Sequence, residues 1–181
     1  MFNFLSQFRP VGFMTESVEI YADGACKGNP GPGGYGAVLL FGGSRKELSG
    51  GFRKTTNNRM ELLACIEGLR SLTRPCTVSL TSDSTYVVNA IEKGWAKRWR
   101  SNHWKLSPSK TAKNSDLCKD LLDLCSTHSV RFKWVKGHSG HPENERCDEL
   151  AVAASELKKL PVDIGFETPA PPEGDLFDQM G

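Results

Sequence analysis

The sequence predicts an α/β domain built on a mixed sheet with helices on both faces. Three observations carry that expectation. Residues 18–52 hold three apolar runs separated by glycine-rich turns, which suits an antiparallel meander. From residue 58 the apolar period changes from two to about 3.6. After that, helical and strand patterns alternate, an order that adds parallel strands through helical crossovers.

Taken in order, the strands of the meander are expected over 18–23, 35–41 and 46–52. A helix follows over 58–72, with an apolar stripe of Leu62, Ile66 and Leu69. Glu61 lies on a neighbouring stripe of small residues, Ala64, Cys65 and Gly68, which lets that face press close to the sheet. Pro75 precedes a buried strand over 77–82, and a helix is expected over 84–93. A helix over 116–125, a strand over 130–135 and a helix over 144–160 complete the pattern. From 161 onward the chain has four prolines, no base and no periodicity, and reads as a tail that does not join the core.

At 181 residues the chain has room for one compact domain and tails. The division expected is an N-terminal extension over 1–16, a catalytic domain over 17–160 and an acidic, proline-rich C-terminal tail over 161–181. With 38% hydrophobic and 24% charged residues, neither general disorder nor a membrane span is indicated. The first thirteen residues are too short and too interrupted by Asn3, Gln7, Arg9 and Pro10 for a signal peptide, and Met14 offers a second start. Six cysteines without a C-x-x-C pair read as reduced thiols of a cytoplasmic protein. The net charge of +2 hides an asymmetry. Seven bases and no acid lie over 93–115 (Lys93, Lys97, Arg98, Arg100, Lys105, Lys110, Lys113), whereas five acids and no base follow Lys159. Local charge of this kind governs encounter with a polyanion.

Four acids sit in distinctive surroundings: Asp23 in IYADGACKGNPGPGGYG, Glu61 in TTNNRMELL, Asp83 in VSLTSDSTYV and Asp148 in GHPENERCDEL. Two stand at strand ends and two on helices, so hard oxygen donors can meet at a sheet rim, which is what Mg²⁺ takes. Each has a plainer reading: an Asp-Gly turn, a helix N-cap at Asp83, solvated helix positions at Glu61 and Asp148. Four together fit one metal site better than four coincidences. His138, in the glycine-flanked loop GHSGHPEN, suits a mobile proton carrier or phosphate contact, and its H-x-x-H spacing with His141 is a weak zinc signal. Trp95, Trp99 and Trp104 among the bases have two readings, a packing stem and a surface that follows a nucleic-acid backbone, and both can hold.

Together these segments, with KNSDL and WVKGHSGHPENERCDELA, resemble the bacterial ribonuclease HI, or type 1 ribonuclease H, family over roughly 17–159. The resemblance implies the ribonuclease H-like fold, a five-stranded mixed sheet of three antiparallel strands then two parallel, and an endonuclease that hydrolyses the RNA strand of RNA–DNA hybrids. It implies 5′-phosphate and 3′-hydroxyl ends, removal of RNA primers and R-loops, two Mg²⁺ about 4 Å apart with Mn²⁺ as a substitute, and a monomer without a membrane partner. Asp23, Glu61, Asp83 and Asp148 match the metal-binding carboxylates, His138 the loop histidine, and 93–113 the basic protrusion, with Trp95, Lys97, Arg98, Trp99, Arg100 and Trp104 as its substrate-facing residues. Cys26, Gly28 and Asn29 of the 26–29 loop, with Asn57, Asn58 and Glu61, match readers of the RNA 2′-hydroxyl. Thr56 and Asn114 match a grip on a DNA phosphate, and Asn144 a residue near the scissile phosphate. Thr85 departs from the family pattern where several relatives carry Gln. Rival expectations are a catalytically weak hybrid-binding module and a reverse-transcriptase or integrase-like nuclease domain. The pair Leu176-Phe177, set among tail acids, is a candidate docking peptide for a replication or repair partner.

Overall fold

A computed structural model describes residues 17–168. Its meander is β1 (Val18–Cys26), β2 (Gly31–Phe41) and β3 (Ser44–Thr55), followed by α1 (Asn57–Arg70), β4 (Thr77–Ser82), α2 (Thr85–Glu92) and α3 (Trp95–Ser101). A small hairpin of β5 (Lys105–Ser107) and β6 (Lys110–Thr111) leads to α4 (Ser115–Thr127), β7 (Ser129–Trp134), α5 (Pro142–Ser155) and a short α6 (Ile164–Glu167). The main sheet has five strands in the order β3-β2-β1-β4-β7, with β1, β2 and β3 antiparallel and β4 and β7 added in parallel. This is the mixed sheet expected from the switch in period.

The two faces are readable along β2, because successive residues of a strand point to opposite sides. A Cβ at Gly33 would press on Met60 of α1, and Ala37 faces Gly68 of the same helix. The intervening Gly34 and Gly36 lie instead against α5, where a Cβ would strike the carbonyl oxygens of Ala151 and Cys147. Helices therefore cover both faces, and the bare strand lets α5 approach to backbone contact. Ile20, Leu39, Leu62, Ile66, Leu69, Leu80 and Leu121 are fully buried between the layers, each contributing about 1.5–3 kcal/mol by leaving water.

Several boundaries differ from the expectation. The glycine-rich stretch is largely strand: Ala25 pairs with Gly34 and Cys26 with Gly33, which leaves a short turn over 27–30. The last long helix stops at Ser155, and Leu157 beyond it is 60% exposed. Beyond residue 160 the chain keeps contact with β3 and α1. The Pro161 carbonyl accepts from the Arg53 N–H at 2.9 Å, and Asp163 is buried against Thr55 and Arg59. Residues 161–168 thus lie on the domain rather than apart from it. Their partners stand about a hundred residues earlier in the chain, so no local pattern announces them. The 1–16 extension and the Leu176-Phe177 segment lie outside the described residues.

Candidate active site

The carboxylate cluster is assembled by the close approach of three helices and two strands. Asp23 sits on β1, 7% exposed, its Oδ1 accepting from the Gly24 N–H at 2.7 Å. Gly24 is required there: a Cβ would collide with the backbone of Met60 and Glu61, so the strand end lies flush against the first turns of α1 and brings Glu61 beside Asp23. Asp83 follows β4, the parallel neighbour of β1. Its carbonyl accepts from the Trp134 indole at 2.9 Å, while Ser84 caps α2 by accepting from the Val87 N–H at 3.3 Å. The N-cap reading of Asp83 is therefore corrected, since the serine beside it takes that role and leaves the carboxylate free to face the rim. Asp148 comes from the opposite layer. Its neighbour Cys147 rests on Gly36, which is the ladder partner of Asp23.

Asp23, Glu61, Asp83, Asp148, His138, Asn57 and Cys26 line one open recess of about 370 Å³, completed by Gly24 and Ala25. His138 is exposed on its loop with a positive φ of 50°. Gly137 lets that loop pass against Asp83, because a Cβ there would strike the Asp83 carboxylate. Glu61 accepts from Asn57 Nδ2 at 2.8 Å and from the Ser84 hydroxyl.

Burial, with Asp83, Asp148 and Glu61 adding like charge, drives the Asp23 carboxyl far above the usual carboxylate range, against the opposing Gly24 N–H. Burial also raises Glu61, opposed by its Ser84 and Asn57 hydrogen bonds. Crowded hard oxygens suit a divalent cation, and the recess lining holds no lysine or arginine to neutralise them. Among the described residues no three His, Cys, Asp or Glu side chains are already gathered as a set that could hold a metal ion, and both Glu61 oxygens are engaged by Asn57 and Ser84.

Other expected substrate residues fall into separate groups. Asn29 accepts from the Asn57 N–H at 3.2 Å, tying the 26–29 turn to α1, and Gly28 in that turn has a φ of 84°. Thr56, Asn58 and Asn114 meet with Asn29 in an adjoining recess of about 570 Å³. Asn114, the N-cap of α4, adopts a φ of 56°. Asn144 is buried in the first turn of α5 with its side-chain oxygen unpartnered, and neither it nor Thr85 lines the carboxylate recess. None of Trp95, Lys97, Arg98, Trp99, Arg100 and Trp104 lines it either.

Within the stem, Trp99 and Trp104 pack on the core, and Trp95 lies 6.4 Å from Trp99 with Lys93 over its ring at 5.7 Å. Arg100 pairs with Asp123 at 2.7 Å, while Lys97 and Arg98 are exposed on α3. Gly94, with a φ of 66°, separates α2 from α3. Sequence reasoning passed over Trp134 and Ser84, which hold Asp83 and Glu61. The signal for Trp134 was its position at the end of the last strand, beside the KGH loop.

Comparison with known proteins adds a second line of observation. The family model described as RNase H matches residues 15–156. The chain is 62% identical to a ribonuclease H of Desulforamulus reducens over 149 residues, 82% of this chain and 94% of that protein. It is 60% identical to a ribonuclease H of Rippkaea orientalis over 152 residues, 84% of this chain and 93% of that one. Among solved structures it is similar to a type 1 RNase H with the type 2 active-site motif, with a TM-score of 0.70 and 31% identity, covering 80% of this chain and 74% of the other. It is also similar to the N-terminal RNase H domain of a Mycobacterium tuberculosis protein, with a TM-score of 0.59 and 28% identity, covering 77% and 94%. No described helix is long and apolar enough to cross a membrane.

Proposed function

Because the chain belongs to the ribonuclease H family and is a ribonuclease H, a hydrolase acting on RNA–DNA hybrids, we propose that it cuts the RNA strand internally to leave 5′-phosphate and 3′-hydroxyl ends, with Asp23, Glu61, Asp83 and Asp148 as its metal-holding carboxylates. The observation that carries this reading is the meeting of those four acids, from both layers of the fold, in a single recess without a basic side chain. Divalent cations held there, Mg²⁺ by the hardness of the donors and Mn²⁺ in its place, would supply the positive charge that lowers the pKa of water and steadies the departing oxygen. Asp23 would hold the cations together with the other three acids, since it is the most buried of the four and lies within reach of their charge.

The remaining roles belong to the chain's own side chains. Glu61 is held in place by Ser84 and Asn57, and Asp83 by the backbone that Trp134 grips. Asn57 and the 26–29 turn face the sugar edge of the RNA, where a donor and acceptor pair tells a 2′-hydroxyl from hydrogen. Thr56 and Asn114 take a phosphate of the DNA strand in the adjoining recess, whose Lys113 adds positive charge. His138, exposed on a loop flanked by Gly137 and Gly140, moves protons at the scissile phosphate and aids product release. Lys97 and Arg98 follow the duplex backbone. In the cell the monomeric, cytoplasmic enzyme would remove RNA primers and R-loops.

The test is cleavage of matched RNA–DNA, RNA–RNA, DNA–DNA and single-stranded substrates in Mg²⁺, with the ends mapped. Internal cuts confined to the RNA of the hybrid, with 5′-phosphates, are expected. Cutting of RNA–RNA or DNA–DNA at a comparable rate, or hybrid binding without cleavage, would overturn it.

A further inference from the structure

A second buried polar cluster lies behind the Thr56–Asn114 recess. Arg59 of α1 donates from Nε to Asp163 Oδ2 and from Nη2 to Asp163 Oδ1, both at 2.8 Å. The same guanidinium donates to Asp116 of α4 from Nη1 at 3.0 Å and from Nη2 at 2.7 Å. Asp163 also accepts from the Thr55 hydroxyl at 2.7 Å, and its side chain and that of Arg59 are each only 4% exposed. The segment carrying Asp163 is strapped to β3 at both ends, by the Pro161 carbonyl on the Arg53 N–H and by Glu167 on the Arg53 guanidinium at 3.0 Å. Gly165 crosses directly over the ion pair, since a Cβ there would strike Asp116 Oδ2 and Arg59 Nη2. Gly165 and Phe166 then form one wall of the recess that holds Thr56, Asn58, Lys113 and Asn114.

This arrangement ties together the elements that a phosphate grip needs. Thr56 occupies the N-cap position of α1 and Asn114 that of α4, neither side chain bonding to its own helix, and the Arg59–Asp116 pair is the bridge between the first turns of those two helices. A guanidinium has a planar fork of donors, so a second carboxylate behind it fixes its plane. We infer that the 161–168 strap is a positioning element for the DNA strand: Asp163 orients Arg59, and through it holds Thr56 and Asn114 at the spacing that takes a DNA phosphate. The inference rests on the hybrid reading above and adds to it a residue that touches no substrate.

Electrostatics alone gives the opposite sign, which makes the test decisive. Removing the Asp163 charge leaves the recess more positive and would tighten phosphate binding. Loss of positioning weakens it. The full chain carrying Asp163→Asn is compared with the unaltered chain on a short RNA–DNA hybrid, and on the same hybrid with single DNA phosphates replaced by neutral methylphosphonates. KM should rise about tenfold, as for one lost hydrogen bond to a charged group, with kcat within about twofold. The DNA linkage whose neutralisation weakens the unaltered enzyme should no longer matter in the variant. A KM that is unchanged or lower, a fall confined to kcat, or retained sensitivity to that linkage overturns the inference. Circular dichroism and a thermal melt establish that the variant is folded at the assay temperature. Should it be unfolded, Gly165→Ala disturbs the same pair from the solvent side, and an unchanged KM in that variant is equally fatal. Absence of hybrid cleavage by the unaltered chain would overturn the proposed function itself, whereas cleavage by it with an unaffected Asp163→Asn variant removes the positioning role alone.

Discussion

Two groups of carboxylates flank the first turns of α1, and their electrostatics are opposed. On one side Asp116 and Asp163 close on the Arg59 guanidinium, so charge is paired and the donors are answered. On the other, Asp23, Glu61, Asp83 and Asp148 share a recess with no lysine or arginine in its lining. A buried carboxylate without a cation costs several kcal/mol. The fold carries that cost on one side and avoids it on the other within a few residues of the same helix. The paired group ties α1 and α4 to the 161–168 segment, and the unpaired group is the one proposed above to hold divalent cations.

Removing charge from each group should therefore act in opposite senses. Asp23→Asn is expected to lower hybrid cleavage by on the order of 10³-fold or more, because it removes the proposed metal-holding carboxylate on which the other three act. The same change should hold or raise the melting temperature at pH 7. An acid whose folded pKa is raised, as burial raises Asp23, weakens the fold above its ordinary pKa, so neutralising it relieves the fold. A variant that melts well below the unaltered chain would mean that the cluster is structural. Arg59→Met should do the reverse, stranding Asp163 and costing about 3–5 kcal/mol in urea unfolding. A cost under about 1 kcal/mol, the scale of an exposed ion pair, would erase the contrast between the two groups.

Smaller effects refine the picture. His138→Ala is expected to slow turnover by about 10²-fold, the lower range for a lost proton carrier, with unchanged melting because the residue is exposed. A kcat equal to that of the unaltered chain would remove it from the chemistry. Lys97→Ala with Arg98→Ala should flatten the log–log salt dependence of hybrid binding by roughly two units, about one for each lost phosphate contact. An unmoved slope would leave the stem as packing, the role that Trp99 and Trp104 already serve. The smallest effect concerns His128, whose ring accepts from the Cys76 N–H at 3.2 Å and is held neutral by burial, with its pKa lowered from 6.5. The unfolded chain takes up the proton first. Stability should be level above about pH 6.5 and decline as pH falls below it until the folded ring also protonates; His128→Asn should remove that part of the slope.

The four acids, the His138 loop and the order of strands and helices were legible in the chain because each belongs to a local pattern. A strand running into Asp-Gly or Asp-Ser, or a helix with small residues beside a glutamate, carries its own spacing, and spacing survives without knowledge of the fold. The glycines were legible as glycines but not as strand. Their ladder with Ala25 and Cys26 depends on register, and Gly34 and Gly36 have no side chain to reveal which face they turn.

Fold class, the identity of the acids and the family signatures thus came from residues close together in the chain. How the acids meet came from contacts across it: Gly24 against α1, Gly36 against α5, Gly137 against Asp83. The Asp163 strap is the extreme case, because its segment looks like an acidic tail while its carboxylate answers Arg59 and Thr55 about a hundred positions away. Local periodicity reports which face of an element is apolar. It cannot report which distant donor will satisfy a buried charge, because that pairing exists only after the layers have closed.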